Sequence, residues 1–236
     1  MSLMVLDAIP FRVSLSGLAR KLRLAADSPH VPALRAMLAD ARKVAAPKAA
    51  YRVAYIDSRG EDTLVIEGVT FRSRVLRVNT DQAQRVFAYV ATCGLELEEW
   101  SRAMSMDDML AAFWADAIKE AAVYGAMRVL RSHILEAFSL KRAASMAPGS
   151  LADWPISQQR PLFALLGDVQ QAIGVRLTSS MLMVPSKSVS GLLFPTEESF
   201  ESCLLCPRPG CPNRRAPYDA DLYERRFRTT PGTQAR

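Results

Sequence analysis

Apolar and polar positions along the 236-residue chain follow two different periods. Over residues 16–24 and 31–44 the apolar side chains recur at helical spacing, which predicts two short amphipathic helices with Pro29 and Pro32 between them. Pro47 marks a break. Residues 51–56, 64–67 and 69–76 read as strands, joined by the turn residues Ser58, Arg59, Gly60 and Gly68. Residues 85–92, RVFAYVAT, are β-branched and aromatic enough for another strand, stopped by Gly94, and residues 95–104 read as a short helix. Ser105 and Asp108 have the form of a capping box, with Asp where Glu or Gln is usual. After them Met109, Phe113, Ala117, Ala121, Tyr124, Met127, Leu130, Ile134 and Phe138 recur at helical spacing, predicting one helix of about thirty residues. His133 and Asp116 lie on it, and a lone histidine there reads as a packed or surface residue. A further helix is expected over 157–173, and the last strands near 176–177, 181–184 and 189–194. Helices and strands do not alternate strictly, so the fold class is α+β rather than a doubly wound sheet.

Three segments carry candidate chemistry. In TSSMLMVPSKSVSGLLF, residues 178–194, a short apolar run (Met181 to Val184) is ended by Pro185. Ser186, Lys187, Ser188 and Ser190 follow, then Gly191 and a second apolar run. This predicts a buried strand entering and leaving a polar loop that brings hydroxyls, one ammonium and bare backbone to a polar ligand. The plain alternative is a hairpin corner. Ala147-Pro148-Gly149 opens a loop ending in Trp154-Pro155-Ile156-Ser157-Gln158-Gln159. There Trp154 offers a flat apolar surface and the glutamines offer amides at a helix start, unless the loop is a rigid connector whose tryptophan packs in the core. Cys203, Cys206 and Cys211 form C-x2-C-x4-C within a loop turned by Pro207, Pro209, Gly210 and Pro212. No fourth ligand is obvious, since Cys93 is far away in sequence and no histidine lies nearby. The readings are an iron–sulfur cluster with one open corner, a zinc site completed from elsewhere, or reduced thiols in a Pro-rich turn.

Composition narrows the classes. Half the residues are hydrophobic and 23% are charged, as in ordinary globular proteins. No signal peptide and no membrane-length apolar run stands out, so a cytoplasmic location with reduced cysteines and no membrane partner is expected. The net charge of +6 is concentrated late in the chain, at Arg208, Arg214, Arg215, Arg225, Arg226, Arg228 and Arg236. Without interleaved aromatics this favours a solvated, disordered basic tail over residues 216–236 and argues against nucleic acid. The phosphate-loop, dinucleotide, zinc-protease and nucleophile-elbow signatures are missing, and two histidines, His30 and His133, make a histidine-based triad hard to build.

Together the order APG…WPISQQRPLFALL…IGVRLTSSMLMVPSKSVSGLLF resembles the activation domain of cobalamin-dependent methionine synthase, and more closely its short stand-alone relatives. The resemblance runs over roughly residues 80–200 and includes FWADAIKEAA on the long helix. It implies a C-shaped α+β domain with a twisted antiparallel sheet, a long central helix and flanking helices. On that basis residues 49–215 form the domain, after an N-terminal helical segment over 1–48. It further implies that S-adenosylmethionine is bound and presented to cobalamin carried by a partner, methionine synthase or another corrinoid protein, with a flavodoxin-like electron donor. The implied ligand residues are Ala147, Pro148, Gly149, Pro185, Ser188, Val189, Ser190 and Gly191, joined by Asp7 of an Asp7-Ala8-Ile9-Pro10-Phe11 echo of the family's acidic segment. Trp154, Gln158, Gln159 and Lys187 would face the partner or its cobalamin. The chain would then be an accessory subunit of a methyltransferase reaction. A redox activator using the cysteines, and a docking module with neither activity, are the alternatives. Where the family's R-P-A-P-G-Y motif falls, this chain has Ser145-Met146-Ala147-Pro148-Gly149-Ser150, lacking both the arginine and the tyrosine. Arg142 is near but out of register, and the tyrosine pair that follows the family's S-V-S-G strand has no counterpart. There is no D-x-H-x-x-G motif to ligate cobalt.

Overall fold

In the computed structural model, which describes residues 2–104, 108–198 and 200–228, the chain opens with strand β1 (Met4–Leu6) and helices α1 (Leu15–Lys21) and α2 (Val31–Val44). Then come β2 (Lys48–Arg59), β3 (Thr63–Ile66), β4 (Val69–Arg72), the short α3 (Arg74–Asn79), β5 (Arg85–Thr92), α4 (Leu95–Met104) and the 29-residue α5 (Met109–Ala137). The rest is β6 (Ala143–Met146), α6 (Gln159–Leu166), α7 (Val169–Ile173), β7 (Arg176–Leu177), β8 (Met183–Val184) and β9 (Ser188–Pro195). Seven strands form one sheet in the order β4-β3-β2-β5-β9-β6, with β1 also on β2, and β7 pairs with β8. The pairings of β1 and β3 with β2, of β3 with β4 and of β6 with β9 are antiparallel. This is the α+β class that the mixed order of elements predicts.

The chain divides into two compact units, one of Met1–Val53, Ala88–Leu140 and Leu166–Ser190, the other of Ala54–Phe87, Lys141–Leu165 and Gly191–Arg236. In the first, α1 is capped by Ser14 Oγ, which accepts from Gly17 N–H at 3.1 Å. Helix α2 buries Leu34, Met37, Leu38 and Ala41, a one-face stripe at helical spacing. These side chains pack with Leu97, Trp114, Ala115, Ile118 and Ala122 into one apolar core. Asp108 caps α5 by accepting from Leu110 N–H and Ala111 N–H; Ser105, the expected cap, lies outside the described residues. The buried face of α5 differs from the predicted one over its first turns. Trp114, Ala115 and Ile118 point inward, while Met109 (91% exposed) and Phe113 (60%) face solvent.

The second unit buries Leu64, Ile66, Phe71, Phe87, Trp154, Leu192, Phe194 and Phe227. Strand β4 stops at Arg72 rather than running on to Leu76, because Ser73 Oγ accepts from Leu76 N–H and starts α3. The helix expected over 157–173 is broken. A 3-10 turn (Ile156–Gln158) leads into α6, Gly167 adopts φ +91°, and Asp168 caps α7. The basic tail expected from residue 216 is largely exposed as far as Arg228 but is anchored at Phe227. Phe227 is 1% exposed and stacks edge-on against Phe200, and its carbonyl accepts from Arg74 Nε. Arg225, Arg226 and Arg228 pair with Asp219, Glu198 and Glu224. Residues 229–236 lie outside the described residues. Among the described residues no helix is long and apolar enough to cross a membrane.

Candidate functional site

The loop between β8 and β9 lies in the first unit and is pinned from three directions. Cys93 N–H donates to the Lys187 carbonyl at 3.0 Å, tying the loop to the end of β5. Ser188 Oγ lies 2.9 Å from Thr92 Oγ1 and 2.8 Å from the Pro185 carbonyl. Ser186 donates its hydroxyl to Glu98 Oε2 at 3.0 Å, with its N–H 3.4 Å from the same oxygen. Glu98 comes from α4 and is neutralised by Lys119 of α5, 3.1 Å away, with both side chains at or below 10% exposure. A buried carboxylate survives there because it has a cation and hydrogen-bond donors together. Lys187 Nζ meets Asp116 Oδ2 at 2.8 Å. Burial pulls the Lys187 ammonium down, but its hydrogen bond and charge attraction to Asp116 outweigh that and hold it above its ordinary value.

This arrangement changes what the loop can do. The hydroxyls of Ser186 and Ser188 and the ammonium of Lys187 already have partners inside the protein. Ser190 is buried, and Pro185 is buried beside the half-buried Val189. A ligand at this loop therefore meets mainly a rigid, shaped backbone rather than free side-chain donors. Only the second half of the preceding run is a strand, Met183 and Val184 forming the half-buried β8. Met181 takes φ +65° and Leu182 is 67% exposed, because Thr178 N–H donates to the Leu182 carbonyl and Thr178 Oγ1 accepts from Leu182 N–H to close a hairpin.

In the second unit the Ala147-Pro148-Gly149 turn follows β6. Gly149 has φ +82° and donates its N–H to the Trp154 carbonyl at 2.7 Å; a Cβ there would sit 2.8 Å from Ile156 Cδ1. Trp154 is 0% exposed and packs edge-on against Phe71 at 6.3 Å, so it is a core residue and not the partner-facing surface expected of it. Gln159 is likewise 5% exposed, and the half-buried Gln158 accepts through Oε1 from Arg72 N–H at 3.0 Å. Asp153, which no sequence signal marks, accepts from Ser73 Oγ, Arg74 N–H and Val75 N–H at the start of α3. Ser145, where the family arginine falls, lies in β6 opposite Leu193. Arg142 donates to the Glu197 carbonyl at 2.8 Å. Gly191 is buried in β9, and Asp7 is exposed just past β1 in the first unit.

The cysteine loop, also in the second unit, is organised by an arginine. Arg214 Nη1 donates to the carbonyls of Cys203 (3.1 Å) and Ala216 (3.3 Å), and Nη2 to those of Cys206 (3.0 Å) and Arg208. Among the described residues no group of three or more His, Cys, Asp or Glu is placed to hold a metal, so the cluster or zinc reading of Cys203, Cys206 and Cys211 has no support in the geometry. The backbone N–H of Arg215, with its nearby charge, holds the Cys203 thiol below its usual range. Burial first, and then the Glu98 carboxylate, push Cys93 up to about 12. Under native alkylation at neutral pH, Cys203 is therefore expected to label before Cys93, and peptide mapping at partial modification reads the order. Labelling of Cys93 first would contradict the burial found here.

The sequence pattern of the family described as vitamin B12 dependent methionine synthase, activation domain, matches residues 75–202. Among solved structures, the crystal structure of the MetH reactivation domain bound to AdoHcy resembles this chain with a TM-score of 0.61 at 15% identity, covering 86% of this chain and 81% of that one. At that identity the likeness establishes the fold. No curated protein matches. Because the family match spans more than half of the chain, from α3 past β9, and takes in the Ala147–Gly149 turn and the loop between β8 and β9, the chain belongs to the vitamin B12-dependent methionine synthase activation-domain family.

Proposed function

We propose that this chain supports reductive remethylation of cobalamin held by a partner methyltransferase, methionine synthase or another corrinoid protein, with S-adenosylmethionine as the methyl donor. The observation that carries this reading is the family match over residues 75–202, which contains the whole pinned loop Pro185–Ser190. S-adenosylmethionine supplies an electrophilic sulfonium methyl group. The chain's part is to bind and orient. Ser186, Lys187 and Ser188 are fixed by Glu98, Asp116 and Thr92, so the loop backbone is in place before any ligand arrives, and positioning of this kind is the main catalytic lever in a group transfer between two bound partners. Transfer of a methyl cation leaves no proton to move, and the two carboxylates beside the loop, Glu98 and Asp116, are taken up by Lys119, Ser186 and Lys187. The electron comes from a flavodoxin-like donor.

The fit is incomplete at one point. The family arginine that would pair with the methionine carboxylate is Ser145 here, and Arg142 is held by the Glu197 carbonyl. A charge-assisted contact contributes about 1.5–3 kcal/mol, so affinity is expected to be roughly 10- to 150-fold weaker than with the arginine in place. Calorimetry should show saturable S-adenosylmethionine binding, tightened by Ser145→Arg. A cobalamin-loaded methionine synthase lacking its own activation domain should regain methylation when this protein, flavodoxin and S-adenosylmethionine are added. Absence of heat at millimolar ligand, in both wild type and Ser145→Arg, would sink the proposal.

A further inference from the structure

The C-x2-C-x4-C segment is not absorbed by methyl-donor binding, and its geometry has a use of its own. Cys206 N–H donates to the Cys203 carbonyl at 3.3 Å, closing a four-residue turn. Residues at the two ends of such a turn have Cα atoms within about 7 Å, which overlaps the roughly 4.4–6.8 Å range of disulfide-linked residues. One guanidinium, that of Arg214, grips the carbonyls at both ends of the turn, Cys203 at 3.1 Å and Cys206 at 3.0 Å. Its own N–H donates to the Cys211 carbonyl at 3.2 Å, closing a separate turn further on. The Arg215 N–H donates to Cys203 Sγ at 3.5 Å, and Arg215 is anchored by Glu201. Cys203 and Cys206 are both partly exposed and unbridged.

We propose that Cys203 and Cys206 form a reversible two-electron dithiol–disulfide couple, held in register by Arg214, with a small-molecule disulfide as the oxidant. The Cys203 thiolate attacks one sulfur of the oxidant, forming a mixed disulfide and releasing one thiol. Cys206 then attacks the Cys203 sulfur of that bond, closing the intramolecular disulfide and releasing the second thiol. Two protein thiols are oxidised and one disulfide is reduced to two thiols, so electrons and protons balance. A bridge that closes so short a loop gains little from loop entropy, and exposed bridges of this kind are the readily reduced ones. Cys211, in the separate turn, is not needed. The couple is independent of the proposed methyl-donor site, so either can fail alone.

The full-length protein is incubated natively with oxidised glutathione and mapped by mass spectrometry without reduction. A Cys203–Cys206 bridge that dithiothreitol reverses is expected. Cys211→Ser should leave it intact, and Cys206→Ser should stop at a glutathione adduct on Cys203. Bridging through Cys211, separate glutathione adducts on wild-type Cys203 and Cys206, or stoichiometric zinc or iron bound to these cysteines in freshly isolated protein would each overturn the proposal. The wild-type map decides the matter even if a variant fails to fold.

Discussion

Lys119→Met is expected to destabilise the protein by about 3–5 kcal/mol, because it strands the Glu98 carboxylate in the interior. Glu98 and Lys119 lie 3.1 Å apart with side chains 10% and 8% exposed. The nearest other cation, Arg102, is 3.8 Å from Glu98, and its side chain is 67% exposed, so it cannot replace the ammonium. Ser186 would be left hydrogen-bonded to a carboxylate that has lost its counter-charge. Removing both charges is a different experiment. Glu98→Gln with Lys119→Met leaves no buried ion and should recover much of the loss, as buried pairs replaced together often do. Urea unfolding of the two single variants and the double variant measures the coupling; a single-variant loss below about 1 kcal/mol would show that water reaches the pair. The same corner should set an alkaline limit. Cys93 holds its proton to about 12 in the folded chain against 9.0 ordinarily. The folded state therefore keeps a proton that the unfolded chain gives up, and this contribution to stability is complete below pH 9 and is lost as pH rises toward about 12.

Helix α2 is legible because its apolar residues keep one period over its whole length, and strand β5 because of its continuous β-branched and aromatic run. The fold class and the family were legible for a related reason, since the Pro-Gly turn and the S-V-S-G strand are local patterns. Glu98 and Lys119, 21 residues apart on two helices, carry no local mark of their partnership. Their one trace in the sequence is that each directly follows a buried apolar residue, at Leu97-Glu98 and Ile118-Lys119. Strand β6, A-A-S-M, was illegible because its residues are small and helix-tolerant; pairing with β9 makes it a strand. Arg214 read as one more charge in a basic tail, although its guanidinium folds the cysteine loop. At Met181 and Leu182 the opposite holds, with hydrogen bonds between Thr178 and Leu182 overriding an apolar pattern.

Trp154→Ala is expected to cost about 3–5 kcal/mol, the usual loss for removing a buried large aromatic, and to lower the melting temperature by on the order of 10 °C. Trp154 is 0% exposed and edge-on to Phe71, and its backbone carbonyl accepts from Gly149 N–H while its backbone N–H donates to the Leu151 carbonyl. Deleting the indole leaves a cavity between the Pro-Gly turn and Phe71, in the unit where Asp153, the neighbouring residue, caps α3 through Arg74 and Val75. Trp154→Phe keeps a ring against Phe71 and should lose less. The two variants also separate packing from partner recognition. A tryptophan that served as a docking surface would give an alanine variant of unchanged melting temperature with weakened binding to the corrinoid protein. A core tryptophan gives the reverse, a large fall in melting temperature with partner binding retained below the new midpoint, and the burial of Trp154 commits it to that second outcome.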